Sequence, residues 1–524
     1  MEKIINNCDL LLKIFSYIHP DEQKELMKVC TQFEYAIFHG IWRLHCKNFS
    51  ISEIKKNAFF LQYCPENNSE TRKERRQKFQ LMDRILHNFA RHIRTLTLKG
   101  ICCLSDMISI NYQHLTELTL SHTVVQEYHI QQLAESCLNL QSLTLIKFTT
   151  PIIERNIRAN VFGKIKALNK LEINDKEFTT WNYYDVQQLF YISHLKTLII
   201  DIHINTCEYD SKQSNNYSFG RVNSYNIENL TIGDLTDAQL SDICFTVDLL
   251  SCKNLTKLTL ISNSFPVLSI NDYDLMRINY TCPKLCELSF TGCYLKFQEF
   301  PYMNNLIHLT FRECKNIGTE KLYKIFRKVT LKSLSIVSVR ERVRVRVKIN
   351  YYCISDTLET LTITEGLDLN TVRTFFKLQH RFENVSKISL AMGASGFEGS
   401  TKLCFSHNFP YLQELIMDSF YISSEDILHL EHLKVLKFGL FHNMSWSYLG
   451  ILFKHPTLTH ITITPFNCRI FKERYARFPI SYKGLTTKLE YLKLPSVVYG
   501  SALNFWPPFR RMNNLLKLEI FNVK

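Results

Sequence analysis

The chain reads as an α/β solenoid. Stacked units each give one strand to a parallel sheet on a concave side and return through a helix or loop on a convex side, behind a small helical module. Three observations predict this. A six-residue pattern, apolar-x-x-apolar-x-apolar, recurs from residue 93 to residue 520. Its matches are spaced on average about 26 residues apart, the length of one strand-and-return unit of a stacked array. Ahead of residue 90 the rhythm differs: apolar residues cluster at helical spacing instead.

Length and composition set the bounds. At 524 residues the chain can bury a large core, and 45% hydrophobic content is that of an ordinary folded protein. No apolar run reaches the eighteen residues of a membrane span, and the N-terminus, MEKIINNCDLLLKIF, lacks the small-residue cleavage site of a signal peptide. The seventeen cysteines are scattered without paired spacings, so reduced thiols and a cytoplasmic or nuclear location are expected. The net charge of +14 is concentrated in RKERRQK (72–78) and RERVRVRVK (340–348). Such clusters are solvated faces or attract an acidic partner, a nucleic acid or a phosphorylated protein. No G-x-S-x-G, H-E-x-x-H or phosphate-binding loop occurs, so neither catalysis nor a cofactor is expected.

In chain order, the front comes first. Leu11, Ile14, Phe15 and Ile18 share a helical face, Pro20 stops that helix, and Asp21 can cap the next. Leu26, Val29, Cys30 and Phe33 form a second face, and IFHGIWRLHC (37–46) supplies a third cluster with Trp42. Three helices in about 45 residues bury too little to be robust alone, so a partner is expected. These residues resemble the F-box: a Leu-Ile-Phe first helix, a Pro turn, a Val-Cys-x-x-aromatic second helix and an apolar-Trp-Arg end. The sequence departs from that family at Asn6-Asn7 (usually Leu-Pro), Gln23 (usually Leu) and Phe33 (usually Trp). Residues 1–50 are assigned to this module and 51–90 to a linker whose LMDRILHNF (81–89) caps the array. The alternative is that the front helices are themselves only a cap.

The array occupies 91–524, about 17 units. It runs from IRTLTL (93–98), LTELTL (115–120) and LQSLTL (140–145) through LCELSF (285–290), LIHLTF (306–311) and LKSLSI (331–336) to LEYLKL (489–494) and LLKLEI (515–520). Alternation at the last positions is strand periodicity. Between matches lie helix-like stretches such as TEKLYKIFRKV (319–329), with Leu322, Ile325, Phe326 and Val329 on one face. The pattern resembles leucine-rich repeats, and LTFRECKNIGTEKLYKIF (309–326) resembles their cysteine-containing type. In that type the residue at Cys293 and Cys314 turns inward to cap backbone groups between units, and Asn263 holds the slot elsewhere. Cys137, Cys252 and Cys282 precede their strands, again a habit of the family. A metal cluster of Cys282, Cys286 and Cys293 is disfavoured, because their phasing with the repeat marks buried structural thiols.

Two features bear on binding. The residue between the last two apolar positions is Ser or Thr in eleven of seventeen matches and basic only at Lys437 and Lys493. The middle of the sheet's outer face is therefore neutral, which disfavours a nucleic-acid groove. Irregularities interrupt the array at 208–226, at the Gly-rich loop 391–400, and at RVRVRVK (342–348). The last reads as a strand with one basic face, Arg342, Arg344, Arg346 and Lys348. It is either a substrate-binding edge for an acidic or phosphorylated segment or an edge charged against aggregation.

An F-box followed by leucine-rich repeats resembles the F-box/leucine-rich-repeat proteins. That resemblance implies a non-catalytic substrate-recognition subunit of a Skp–cullin–F-box ubiquitin ligase. Leu11, Ile14, Phe15, Pro20, Leu26, Val29, Phe33 and Trp42 would dock a Skp-type adaptor, and through it a cullin. The repeats would hold the protein to be ubiquitinated for proteasomal degradation. The alternatives are a leucine-rich-repeat interaction scaffold without a ligase role, or a basic nucleic-acid or chromatin binder.

Overall fold

The computed structural model describes residues 8–15, 17–18, 22–23, 26, 29–31, 33, 36–37 and 48–52 at the front. Beyond them it describes 90–100, 108, 110, 112–148, 159–205, 226–233, 252–262, 267–317, 319–337, 357–364, 381–391, 405–418, 424–439, 452–464, 488–495 and 514–521. The chain divides into two compact units, Met1–Asp234 with Ser251–Leu255, and Leu235–Leu250 with Thr256–Lys524.

Among the described residues of the first unit, seven parallel strands pair in chain order: β1 (Asn48–Ser52), β2 (Thr95–Lys99), β3 (Glu117–Ser121), β4 (Ser142–Ile146), β5 (Lys170–Asn182), β6 (Thr197–Asn205) and β7 (Asn229–Ile232). β1 comes before the first motif match; the sequence reading has no strand there. The returns on the other side include α2 (Glu127–Ser136), a 3-10 turn (Ala159–Lys164) and α3 (Tyr183–Phe190), while α1 (Cys8–Phe15) belongs to the front.

The described residues of the second unit repeat the scheme with eleven parallel strands. β8 (Lys257–Ile261) pairs with β10 (Glu287–Thr291), then β12 (His308–Arg312) and β13 (Ser333–Val337). β14 (Thr360–Thr364), β15 (Lys387–Ala391), β16 (Glu414–Asp418) and β17 (Val435–Gly439) follow, then β18 (His460–Thr464), β19 (Tyr491–Pro495) and β20 (Lys517–Phe521). Its returns hold α4 (Asp272–Thr281), α5 (Thr319–Lys328), the short α6 (Phe405–Asn408) and α7 (Ser424–Leu428), and a small pair of β9 (Ser269–Ile270) with β11 (Tyr294–Leu295).

Every one of the seventeen motif matches carries a strand, and the paired apolar positions stack in register. Leu288 lies opposite Leu258 and Leu309, and Leu309 opposite Leu334. All are essentially inaccessible to water. Each such side chain is worth roughly 1.5–3 kcal/mol of transfer free energy, which no single unit could collect alone. Phe290 and Phe311 stack with centroids 5.8 Å apart, so the ladder extends to aromatic rings.

The two unspecified positions of the motif also have a job. The carbonyl of its second residue accepts two consecutive N–H groups from the next unit. Arg94 O receives Thr116 and Glu117, Cys286 O receives Ile307 and His308, and Lys332 O receives Glu359 and Thr360. The bonds are main-chain, so any residue serves there. After several strands the chain enters left-handed conformation, at Gly100 and Gly292 and also at His122, Lys147 and Glu313. Gly292 is the strictest case: a Cβ there would lie 2.0 Å from the Ser262 carbonyl oxygen.

The helix expected over 319–329 is present, with Leu322, Ile325, Phe326 and Val329 buried. The expected capping helix at 81–89, the loop at 208–225, the basic strand at 342–348 and Asn263 lie outside the described residues. Among the described residues not every return is helical: 294–303 runs as extended chain and turns.

Candidate binding surfaces

At the front, α1 places Leu11 and Phe15 inward, each 3% exposed. The Phe15 ring meets Phe33 edge-on with centroids 4.9 Å apart. The same helix turns Ile14 outward. Ile14 is 43% exposed and Val29 65%, and Tyr17, which the sequence reading passed over, is 82% exposed. Leu26 and Phe33 are half-buried, and Pro20 and Trp42 lie outside the described residues. The predicted docking set therefore splits: Leu11, Phe15 and Phe33 face inward, and Ile14 and Val29 reach the surface. Gln23, the departure from the F-box pattern, is buried for a polar reason. Its Nε2 donates to the carbonyls of Phe15 and Ile18, both at 2.9 Å, and so satisfies the end of α1.

The second surface is the open face of the sheet. In the second unit the residue between the paired apolar positions forms one continuous row. It begins Thr259, Ser289, Thr310, Ser335, Thr362 and Ser389, six hydroxyls in register, and ends Ile416, Lys437, Thr462, Lys493 and Glu519. Both lysines on this row are ion-paired. Lys437 lies 3.5 Å from Glu414, which also holds Lys387 at 2.9 Å, and Lys493 lies 3.0 Å from Glu519. Lys517 Nζ and the Tyr491 hydroxyl donate to the same Glu519 carboxylate. Lys517, Lys493 and Tyr491, in that order, hold the carboxyl down at about 2. His460 stacks on Tyr491 with centroids 5.7 Å apart. The face thus has a neutral hydroxyl stretch and a second stretch with aromatic rings, where four lysines share the two carboxylates of Glu414 and Glu519.

The cysteines of the array do structural work. Cys293 Sγ lies 3.3 Å from Thr291 O and 3.9 Å from Leu260 O, and Cys314 Sγ lies 3.3 Å from Phe290 O and 3.4 Å from Arg312 O. Each buried thiol thus bonds backbone of its own unit and of the preceding one, the inward cap expected of this repeat type. Cys137 and Cys282 end α2 and α4, and burial pushes both thiols up to about 11. No group of three His, Cys, Asp or Glu among the described residues is placed to hold a metal, and no described helix is long and apolar enough to cross a membrane.

Two buried histidines also cap backbone. His129 Nδ1 accepts the Gln126 N–H at 3.0 Å at the start of α2, and burial holds its pKa at about 4. His455 Nε2 lies 3.0 Å from Ile427 O, while its Nδ1 faces the N–H and hydroxyl of Thr457. Burial lowers its pKa as well.

No family model matches the chain, and no curated protein matches it. Among solved structures, a leucine-rich-repeat protein of Leptospira interrogans aligns over 83% of this chain and 91% of its own, with 16% identity and a TM-score of 0.32. An internalin of Listeria monocytogenes aligns over 78% of this chain and 88% of its own, with 13% identity and a TM-score of 0.29. Likenesses this loose say nothing of what the chain binds. On its own geometry the chain has a leucine-rich-repeat type of fold, seventeen motif matches on seventeen parallel strands.

Proposed function

We propose that the chain is a substrate receptor of a Skp–cullin–F-box ubiquitin ligase, its front module docking the adaptor and its repeats holding the protein to be ubiquitinated. The observation that carries this is the split at the front: Leu11 and Phe15 close the module while Ile14, Tyr17 and Val29 remain on its surface. Apolar residues exposed on a module this small are suited to burial against a partner. Such a receptor needs no chemistry of its own. It raises the effective concentration of substrate beside the conjugating enzyme, in the cytoplasm or nucleus. The basic stretch Arg342, Arg344, Arg346 and Lys348 would hold an acidic or phosphorylated segment of the substrate.

The test is reconstitution with a purified Skp-type adaptor. Ile14→Asp with Val29→Asp is expected to weaken binding at least about a hundredfold, since burying two charges without partners is costly. Adaptor binding equal to that of the parent, or none by the parent, overturns the reading. A parallel Arg342→Gln, Arg344→Gln, Arg346→Gln variant tests substrate capture with adaptor binding as its control.

A second reading has its own observation. Gln23 spends its amide inside the module, tying the end of α1 to the next segment. A front that completes itself in this way suits an end cap on an interaction scaffold with no ligase role. Under that reading deleting residues 1–47 exposes the first strands and lowers the melting temperature, whereas adaptor addition changes nothing.

A further inference from the structure

α4 has two apolar faces where a packed helix needs one. Its inner face, Leu275 and Ile278 with the following Cys282, is buried. Its outer face carries Tyr273, Met276 and Tyr280, which are 65%, 64% and 85% exposed. These positions are i, i+3 and i+7, one continuous stripe. Arg277 completes it, its guanidinium 5.0 Å from the Tyr273 ring centre. The equivalent outer positions of α2 show the ordinary solution: after Tyr128 they are Gln131 and Glu135.

The stripe continues onto its neighbours. The return 298–305 runs beside α4: Asp272 Oδ1 accepts the N–H groups of Gln298 and Glu299, and Asn305 Nδ2 donates to Pro283 O. That return exposes Tyr302. α5 follows, with Lys328 Nζ 4.0 Å from the centre of the Tyr302 ring. The described part of α5 shows Lys321, Lys324, Arg327 and Lys328 against the single acid Glu320, which pairs with Lys324 at 3.0 Å. An apolar, tyrosine-rich stripe is therefore bordered on one side by a net positive helix.

We propose that the outer surface of α4, the 298–305 return and α5 is a docking site for a short acidic helix of a partner protein. Tyr, Met and Arg are the residues that protein interfaces enrich. From Tyr273 to Tyr280 the stripe spans about 10 Å, two turns of a second helix, and the cations of α5 select acidic side chains beside its apolar anchors. Nothing in this surface depends on the front module or on the open face of the sheet, so the inference goes beyond the receptor reading and stands or falls apart from it.

The test uses the full chain and a labelled 16-residue helical peptide with Leu at i, i+3, i+4 and i+7 and Glu or Asp elsewhere. The peptide is expected to bind in the micromolar range and to weaken with added salt. Met276→Ser with Tyr280→Ser, and separately Arg327→Gln with Lys328→Gln, should each lower affinity about tenfold or more. Both pairs involve outward side chains, and unchanged thermal unfolding checks the fold. A Lys-for-Glu version of the peptide should not bind. Absence of binding by the parent, parent-like binding by both variants, or preference for phosphatidylserine vesicles or a phosphopeptide lacking leucines overturns the proposal.

Discussion

The repeat array and the front module bury apolar side chains by opposite means. In the array each apolar residue is buried because its neighbours in the adjacent units occupy the same phase: Leu309 lies between Leu288 and Leu334, and Phe311 between Phe290 and Ile336. Among the described residues of the front, the Phe15 ring packs on Phe33 and Gln23 closes the end of α1. Redundancy makes the first tolerant of what fills its unspecified positions. The front lies outside the repeat, so no neighbouring unit of the same phase stands in for a side chain there.

The comparison can be broken most strongly inside the array. Phe311→Ala removes a fully buried ring from the Phe290 stack and should cost about 3–5 kcal/mol. Because stacked units couple to their nearest neighbours, hydrogen exchange should accelerate first at β10 and β13. Uniform acceleration across all strands would show that the array unfolds as one block.

The next effect is a pH dependence. His129 accepts a backbone N–H and is held neutral, with its pKa depressed to about 4. In the unfolded chain it titrates near 6.5, so the unfolded state binds more protons between these values. The stability it gives is complete above about pH 6.5 and is lost as pH falls toward 4, at a cost of up to about 3 kcal/mol. His129→Asn, which keeps an acceptor without titrating, should flatten that part of the stability curve. An unchanged slope would assign the acid sensitivity elsewhere, for example to His455.

Smaller again is the effect of Gln23→Ala at the front. It leaves the carbonyls of Phe15 and Ile18 without their buried donor, a loss of about 1–2 kcal/mol. Protease sensitivity between residues 8 and 37 should rise while the array's melting temperature holds. If the array melts earlier too, the front is part of its cap.

What could be read from sequence follows the same division. Strand positions were legible because phase repeats: a single leucine is ambiguous, but seventeen in step are not. The inward role of Cys293 and Cys314 was implied by the resemblance to the cysteine-containing repeat type. β1 was not, since NFSIS carries only Phe49 and Ile51 and stands outside the motif. The doubled carbonyl bonds leave no trace in side chains, and the left-handed turns at His122, Lys147 and Glu313 use residues that carry no glycine signal. On α4 the inner and outer stripes interleave, so the outer one is hidden from a pattern search. At the front, the pattern identified the apolar residues but not which of Ile14 and Phe15 faces out. Helical spacing leaves that choice to the contact with Phe33.

The smallest expected effect lies on the open face and separates its two stretches. Glu519 receives Lys517, Lys493 and the Tyr491 hydroxyl, and its carboxyl titrates at about 2. A depressed carboxylate stabilises above its unfolded value near 4 and loses that contribution as pH falls through 2. This one is partly exposed to solvent, so screening leaves little net stability, and Glu519→Gln should move the melting temperature by less than about 1 °C. The charge pattern should change far more. With Glu519 neutral, Lys493 and Lys517 lose their shared counter-charge, and nonspecific binding of a labelled single-stranded oligonucleotide at low salt should rise, while the Thr259–Ser389 hydroxyl stretch is untouched. Direct observation of the Glu519 carboxyl by NMR titration, with Tyr491→Phe moving its pKa upward, checks the geometry independently. An oligonucleotide affinity that does not respond to Glu519→Gln would mean that the Glu519 pairing is not what limits nucleic-acid binding at this end of the sheet.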